Sequence, residues 1–221
     1  MIRNIWAVGR NYKAHAKEMG AAVPSKPMIF LKAGSGATFQ RDVPLFPASK
    51  DIHHELEIAL RFGPTADADG RLTFDGAAIA LDLTARDIQA ELKANQHPWT
   101  LAKSFRKSCP LSSMVALPAT SADSAAISGV TSRATSASNV PHFKFELKVN
   151  GEVRQHGDTH DMIFDFETLR RYVCDHFPVE PGDLLLTGTP EGVAALRAGD
   201  TATASFESTA GHKVSMEWVF R

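Results

Sequence analysis

Between Glu55 and Phe62 the chain alternates. Leu56, Ile58, Leu60 and Phe62 fall on one parity, and Glu55, Glu57, Ala59 and Arg61 on the other. A period of two predicts a β-strand with an apolar face. Residues two apart on a strand point to the same side, so Glu55 and Glu57 share a face. Two carboxylates so placed repel unless a cation lies between them, although a solvated strand face satisfies the same pattern. Asp82 adds weight to the first reading. It stands in the apolar segment Ile79-Ala80-Leu81-Asp82-Leu83, where an unpaired carboxylate is costly. Three carboxylates make a hard, all-oxygen set suited to Mg²⁺ or Mn²⁺, with positions left for water or substrate. His53 and His54 precede the pair. They are expected to be structural, because His54 points away from the Glu55/Glu57 face and His53 begins the strand.

The rest of the chain predicts an α+β fold, mostly β. Short strands are expected at Ile5–Val8, Met28–Leu31, Ile79–Leu83, Leu184–Leu186, Thr201–Phe206 and Val214–Phe220. Phe145–Val149 and Glu152–Gln155 form a hairpin across Asn150-Gly151. Phe62-Gly63-Pro64 is expected to close the Glu55 strand. Three helices are expected: Asn11–Met19, a second capped by Thr84 with Asp87 at its third position, and Phe166–His176. Strands and helices do not alternate regularly, which argues against a doubly wound parallel sheet.

The chain has 221 residues, 43% of them hydrophobic and 22% charged, with a net charge of −1. That length accommodates one well-buried domain, residues 1–221. So small a net charge gives no field to recruit nucleic acid or an anionic membrane. No stretch approaches the roughly 20 apolar residues of a membrane span, and no secretory signal pattern follows Met1. A cytoplasmic protein is expected, with Cys109 and Cys174 as free thiols. Residues 118–139 are mostly Ser, Ala and Thr and read as a mobile surface loop, or alternatively a linker.

Four further groups could carry chemistry. His15 and Glu18 are i, i+3 on a helix, where a carboxylate can orient an imidazole as a base; an exposed helix pair has the same spacing. Arg86 and Gln89 share that spacing one turn past Asp82. Lys32 and Lys103 stand in apolar contexts, where a lysine stem often follows the core while its amine reaches water. Thr187-Gly188-Thr189-Pro190 follows a strand and can present backbone N–H groups to a carboxylate. There is no phosphate-binding glycine loop, zinc spacing or Gly-x-Ser-x-Gly elbow.

Taken together, these blocks resemble the fumarylacetoacetate hydrolase family, in its short single-domain acylpyruvase branch. The match is carried by Val8-Gly9-Arg10-Asn11-Tyr12 with His15 and Glu18, and by Pro27 to Lys32. It continues through His53 to Glu57, Leu81 to Asp87 with Gln89, Pro98 to Phe105, and Leu186 to Val193. The resemblance implies a mixed β-sheet roll with a few short helices, working as a homodimer. It implies Glu55, Glu57 and Asp82 as ligands of Mg²⁺ or Mn²⁺. His15 and Glu18 would activate water, with Lys103 and Gln89 as catalytic donors. Arg10, Tyr12, Lys32, Arg86, Gly188 and Thr189 would meet the substrate. The implied activity is hydrolysis of the C–C bond of an acylpyruvate such as acetylpyruvate or fumarylpyruvate, releasing pyruvate. Alternatives are an oxaloacetate decarboxylase, an isomerase or decarboxylase of aromatic catabolism, and a non-catalytic metal-binding scaffold. Residues 118–139 depart from the family pattern, being longer and less charged.

Overall fold

The structure, a computed structural model, describes residues 1–18, 20, 22–118 and 140–221. The expectation for residues 118–139 falls, but for Pro118, outside the described residues. In chain order the elements are β1 (Asn4–Gly9), α1 (Lys13–Glu18), β2 (Met28–Ala33), β3 (Ala37–Thr38), β4 (Asp42–Val43) and β5 (Ile52–His54). There follow β6 (Leu56–Ala66), β7 (Leu72–Leu81), β8 (Thr84–Ala85), α2 (Arg86–Ala94), α3 (Thr100–Lys103), β9 (Cys109–Pro110) and β10 (Val115–Ala116). The remainder are β11 (Phe143–Val149), β12 (Glu152–Asp158), α4 (Phe166–His176), β13 (Leu184–Leu186), β14 (Ala194–Leu196), β15 (Thr201–Ser208) and β16 (Lys213–Phe220).

A six-stranded sheet, ordered β10-β7-β6-β13-β1-β2, lies at the centre, and β12-β11-β15-β16-β4 form a second sheet. The alternation in β6 explains how they pack. Leu56, Ile58, Leu60 and Phe62 join Phe143, Phe145, Leu147 and Trp218 in the main core. The opposite parity is buried too: Ala59 packs with Ala7, Ala78, Ala80, Cys109 and Leu111 in a smaller core. The face that carries Glu55 and Glu57 is therefore not a solvated one. The architecture is the expected mostly-β, mixed-sheet roll with a few short helices. Among the described residues no helix is long and apolar enough to cross a membrane, and both cysteines are free.

Strand pairing sets the site. β1 runs parallel to β13, β13 antiparallel to β6, and β6 antiparallel to β7 with Leu56 opposite Leu81. The C-terminal ends of β1, β13 and β7 thus meet the N-terminal end of β6. Arg10, the turn after Leu186, Asp82 and Glu55 are all delivered to one end of the central sheet.

Three local expectations are corrected. β6 does not stop at Phe62-Gly63-Pro64; it bulges there, with register shifts at Arg61 and Phe62, and continues to Ala66. Thr84 does not cap α2. It is buried in β8, paired with β5, and its hydroxyl donates to the Asp82 carbonyl; the cap residue is Ala85, which makes no side-chain bond. Asp87 instead accepts from Ser49 Oγ and Lys50 N–H. A fourth helix, α3, carries Lys103.

Candidate functional site: a buried carboxylate triad at one end of the central sheet

Glu55, Glu57 and Asp82 converge with one oxygen from each inside a 4.8 Å cluster. All three are buried. Buried carboxylates need partners, and here the partners are unevenly shared. Lys103 Nζ donates to Glu55 Oε2 at 2.7 Å, to Asp82 Oδ2 at 2.5 Å and to Thr84 Oγ1 at 2.6 Å. Lys32 Nζ donates to Asp82 Oδ1 at 2.7 Å, to the Leu83 carbonyl at 3.2 Å and to the Lys103 carbonyl. Arg86 donates to Glu55 Oε1 at 2.5 Å and to Gln89 Oε1 at 2.8 Å. Neither lysine takes its amine to water: Lys32 is 0% and Lys103 2% exposed.

Among the described residues, no cationic side chain bonds to Glu57. It accepts one backbone N–H, from Gly188 at 2.5 Å. The electrostatics follow. Burial, then the charges of Asp82 and Glu55, push the Glu57 carboxyl well above its ordinary range. Burial pushes Glu55 up as well, but Lys103 and Arg86 outweigh it and hold that carboxyl well below the usual range. Burial lowers the Lys103 ammonium pKa, yet Asp82 and Glu55 raise it overall. Three hard oxygen donors with one of them unanswered by positive charge fit a divalent cation of the Mg²⁺ or Mn²⁺ kind.

Gly188 cannot be another residue without movement. Its φ is +99°, and a Cβ would lie 2.5 Å from the Asn11 Cβ. The carboxylate that the Gly188 N–H meets in this structure is the protein's own Glu57. Thr189 lines the cleft above the triad, and its hydroxyl accepts from Gln155 Nε2 at 2.7 Å.

His15 also lines this cleft. It is 6% exposed, and its Nδ1 lies 3.1 Å from Glu18 Oε2. Glu18 is itself fixed by the Gly192 N–H at 3.1 Å. A proton on Nδ1 satisfies the carboxylate and leaves Nε2 a lone pair, the arrangement of an oriented base. Arg10 lines the cleft as well, held at φ 61°, a conformation uncommon for a side-chain-bearing residue and frequent at functional sites.

Tyr12, expected at the substrate, does not line this cleft. The bridge Tyr12↔Met162 turns it inward, where its ring packs edge-on against Phe145 at 6.3 Å. Its hydroxyl is buried without a partner among the described residues, and burial followed by the charge of Glu57 raises its pKa far above the usual phenol. His53 and His54 stay out of the cleft, as expected; His53 pairs with Asp51 and His54 with Gln155. Sequence reasoning missed the apolar wall of Met28, Phe30 and Trp99, and it missed Lys93 at the cleft. Lys93 was detectable as the i+7 position from Arg86, on the helix face that also carries Gln89.

Comparison with known proteins bears on this site. The family model for the fumarylacetoacetate (FAA) hydrolase C-terminal region matches residues 4–215. The mitochondrial oxaloacetate tautomerase FAHD1 of Bos taurus is 38% identical over 221 residues, covering 97% of this chain and 92% of that protein. The mitochondrial oxaloacetate decarboxylase of Dictyostelium discoideum is 37% identical over 203 residues, covering 89% of this chain and 85% of the other. Among solved structures, the fumarylpyruvate hydrolase of Pseudomonas aeruginosa in complex with Mn²⁺ and pyruvate superposes with a TM-score of 0.77 at 26% identity, over 100% of this chain and 91% of that one. These names match the oxaloacetate alternative more closely than acylpyruvate hydrolysis. The match over nearly the whole length establishes that the chain belongs to the fumarylacetoacetate hydrolase family, whose members are enzymes.

Proposed function

We propose that this chain interconverts the keto and enol forms of oxaloacetate with a divalent metal held by Glu55, Glu57 and Asp82. The observation that carries the reading is that an oriented imidazole, His15, and a buried ammonium, Lys103, line one cleft beside the triad. Tautomerisation needs a proton taken from C3 and a proton placed on the 2-oxo oxygen. His15 Nε2 accepts the C3 proton, while Glu18 holds the Nδ1 proton and steadies the imidazolium. The electron pair of the C–H bond moves toward the 2-oxo oxygen. Lys103, whose three N–H bonds go to Glu55, Asp82 and Thr84, contributes its positive charge, and Gln89, whose Oε1 accepts from Arg86, offers its amide N–H to the developing oxyanion. A proton from water completes the enol, and His15 returns the C3 proton to water. A bound Mg²⁺ or Mn²⁺ supplies Lewis acidity at the 2-oxo group. The names of the curated relatives support this substrate.

Loss of CO₂ from C4 places the same charge on the same oxygen and needs no base, so decarboxylation is the nearest neighbouring reaction. Acylpyruvate hydrolysis is a second reading, favoured by the His15–Glu18 pair, which can take a proton from water. Its fold neighbour from Pseudomonas aeruginosa is a hydrolase of that kind. A homodimer in the cytoplasm belongs to the proposal as well.

The test follows the enol absorbance of oxaloacetate in Mg²⁺ or Mn²⁺ together with pyruvate formation. The expected result is accelerated keto–enol relaxation without matching pyruvate, lost on chelation and slowed about 10²–10⁴-fold by His15→Ala. Pyruvate appearing in step with the absorbance change would make the chain a decarboxylase. Relaxation at the buffer rate, with cleavage of acetylpyruvate, would make it a hydrolase.

A further inference from the structure

The cleft holds more positive charge than its own carboxylates answer. Lys103, Lys32 and Arg86 are each bonded to Glu55 or Asp82. Arg10 and Lys93 line the same cleft, and among the described residues neither is ion-paired to a carboxylate. Lys93 lies on the face of α2 that carries Arg86 and Gln89, at i+7 and i+4 from them. Its side chain is exposed, and its ammonium stands 5.0 Å from the Trp99 ring centroid, a cation–π contact that orients it beside the cleft. Partial desolvation, then the positive charges of Arg86, Arg10 and Lys103, depress its pKa. It is a cation crowded by cations, and a second anionic group in the cleft relieves that crowding.

We propose that Lys93, with Arg10, receives the carboxylate at the far end of a 2-oxo dicarboxylate, and so selects dianionic substrates over monoanions with the same reactive end. The identity of that reactive end rests on the oxaloacetate reading; the charge count does not. Lys103, Lys32 and Arg86 are already engaged by Glu55 and Asp82, and Glu57 accepts from the Gly188 N–H. The two unengaged cations therefore remain for the substrate's distal charge. The wall of Met28, Phe30 and Trp99 carries no charge to meet it.

Two measurements test this. In the first, oxaloacetate is compared with its 4-ethyl ester, which keeps the 1-carboxylate, the 2-oxo group and the C3 protons but removes the distal charge. Lys93→Met is expected to lower the ratio of kcat/KM for diacid over ester at least tenfold, through KM, and Lys93→Arg to restore it. Equal losses on both substrates, or an unchanged ratio, would overturn the proposal. In the second, calorimetric titration of the Mn²⁺-loaded protein compares malate with lactate, which differ by one distal carboxylate and do not react. Lys93→Met is expected to weaken malate about tenfold relative to lactate, and parallel changes overturn the proposal. If the wild type turns over no oxaloacetate, the proposed function has failed, and the malate–lactate pair still decides on Lys93.

Discussion

Glu57 differs from its two neighbours in the charge that faces it. Glu55 and Asp82 each have ammonium or guanidinium groups against them, whereas Glu57, among the described residues, has only the Gly188 N–H. Its folded pKa is raised above the ordinary value of 4.5. A raised carboxyl contributes stability that is fully present below the unfolded pKa and is lost as pH rises through the folded one. The metal-free protein should therefore lose stability from this group as pH is raised above about 4.5. Glu57→Gln should remove that loss, making the chelated variant more stable than the wild type at alkaline pH by about 1 kcal/mol, or roughly 2–4 °C in Tm for a domain of this size. The same variant should show no stabilisation by Mn²⁺. Thermal melts across pH with chelator and with Mn²⁺ check both halves, and a wild-type-like pH profile in Glu57→Gln would refute the assignment. At this scale much was legible in the sequence. Glu55 and Glu57 are two apart, His15 and Glu18 three apart, and Arg86 and Gln89 three apart; local periodicity alone puts each pair on one side. Tyr12 was not legible, because its inward turn depends on pairing with Met162, far along the chain.

Gln155 shows how one side chain couples elements that the sequence keeps apart. It lies on β12 in the second sheet, fully hydrogen-bonded. Its Oε1 accepts from the Leu56 N–H at 2.9 Å and lies 2.9 Å from His54 Nδ1. Its Nε2 donates to Thr189 Oγ1 at 2.7 Å and to the Pro190 carbonyl at 3.0 Å. It thus ties the β5–β6 junction, which bears Glu55, to the turn that bears Thr189. Gln155→Leu leaves buried donors without acceptors, at about 1–3 kcal/mol each, and should destabilise by about 2–5 kcal/mol in urea unfolding. Gln155→Glu keeps the acceptors and removes only the donors to the Thr189 turn. It should recover part of that stability while KM stays raised. Full recovery of both would show that the turn needs no such tie. The individual elements here were readable: the Asn150-Gly151 hairpin and α4 at Phe166–His176 stand where the pattern puts them. What was not readable is α3, four residues long, too short for a helical period to declare itself.

For the molecule as a whole, the decisive fact is strand order. β13, from near the end of the chain, inserts between β1 and β6. This brings Arg10, Glu55, Asp82 and Thr189 to one end of a single sheet. No local pattern encodes that order, although the ordered blocks of the family did imply that their residues meet. The consequence is that the site and the stability of the fold are linked through Lys103. Its ammonium is buried against Glu55 and Asp82, the oxygens that would hold a metal ion, and sits 4.9 Å from the Phe30 ring centroid. Without an ion, this ammonium neutralises the triad; a divalent cation competes with it for the same oxygens. Removing one partner of a buried pair leaves uncompensated charge, typically about 3–5 kcal/mol. Lys103→Met should therefore destabilise the chelated protein by about that amount, yet bind Mn²⁺ more tightly than the wild type. In the wild type, Mn²⁺ at about 100 times its Kd should stabilise by about 2.7 kcal/mol; at the same Mn²⁺ concentration the variant should gain more. Melting both proteins over a range of Mn²⁺ concentrations separates the two effects. A Lys103→Met protein as stable as wild type after chelation, with the same response to Mn²⁺, would show that the ammonium neither neutralises the triad nor competes for it.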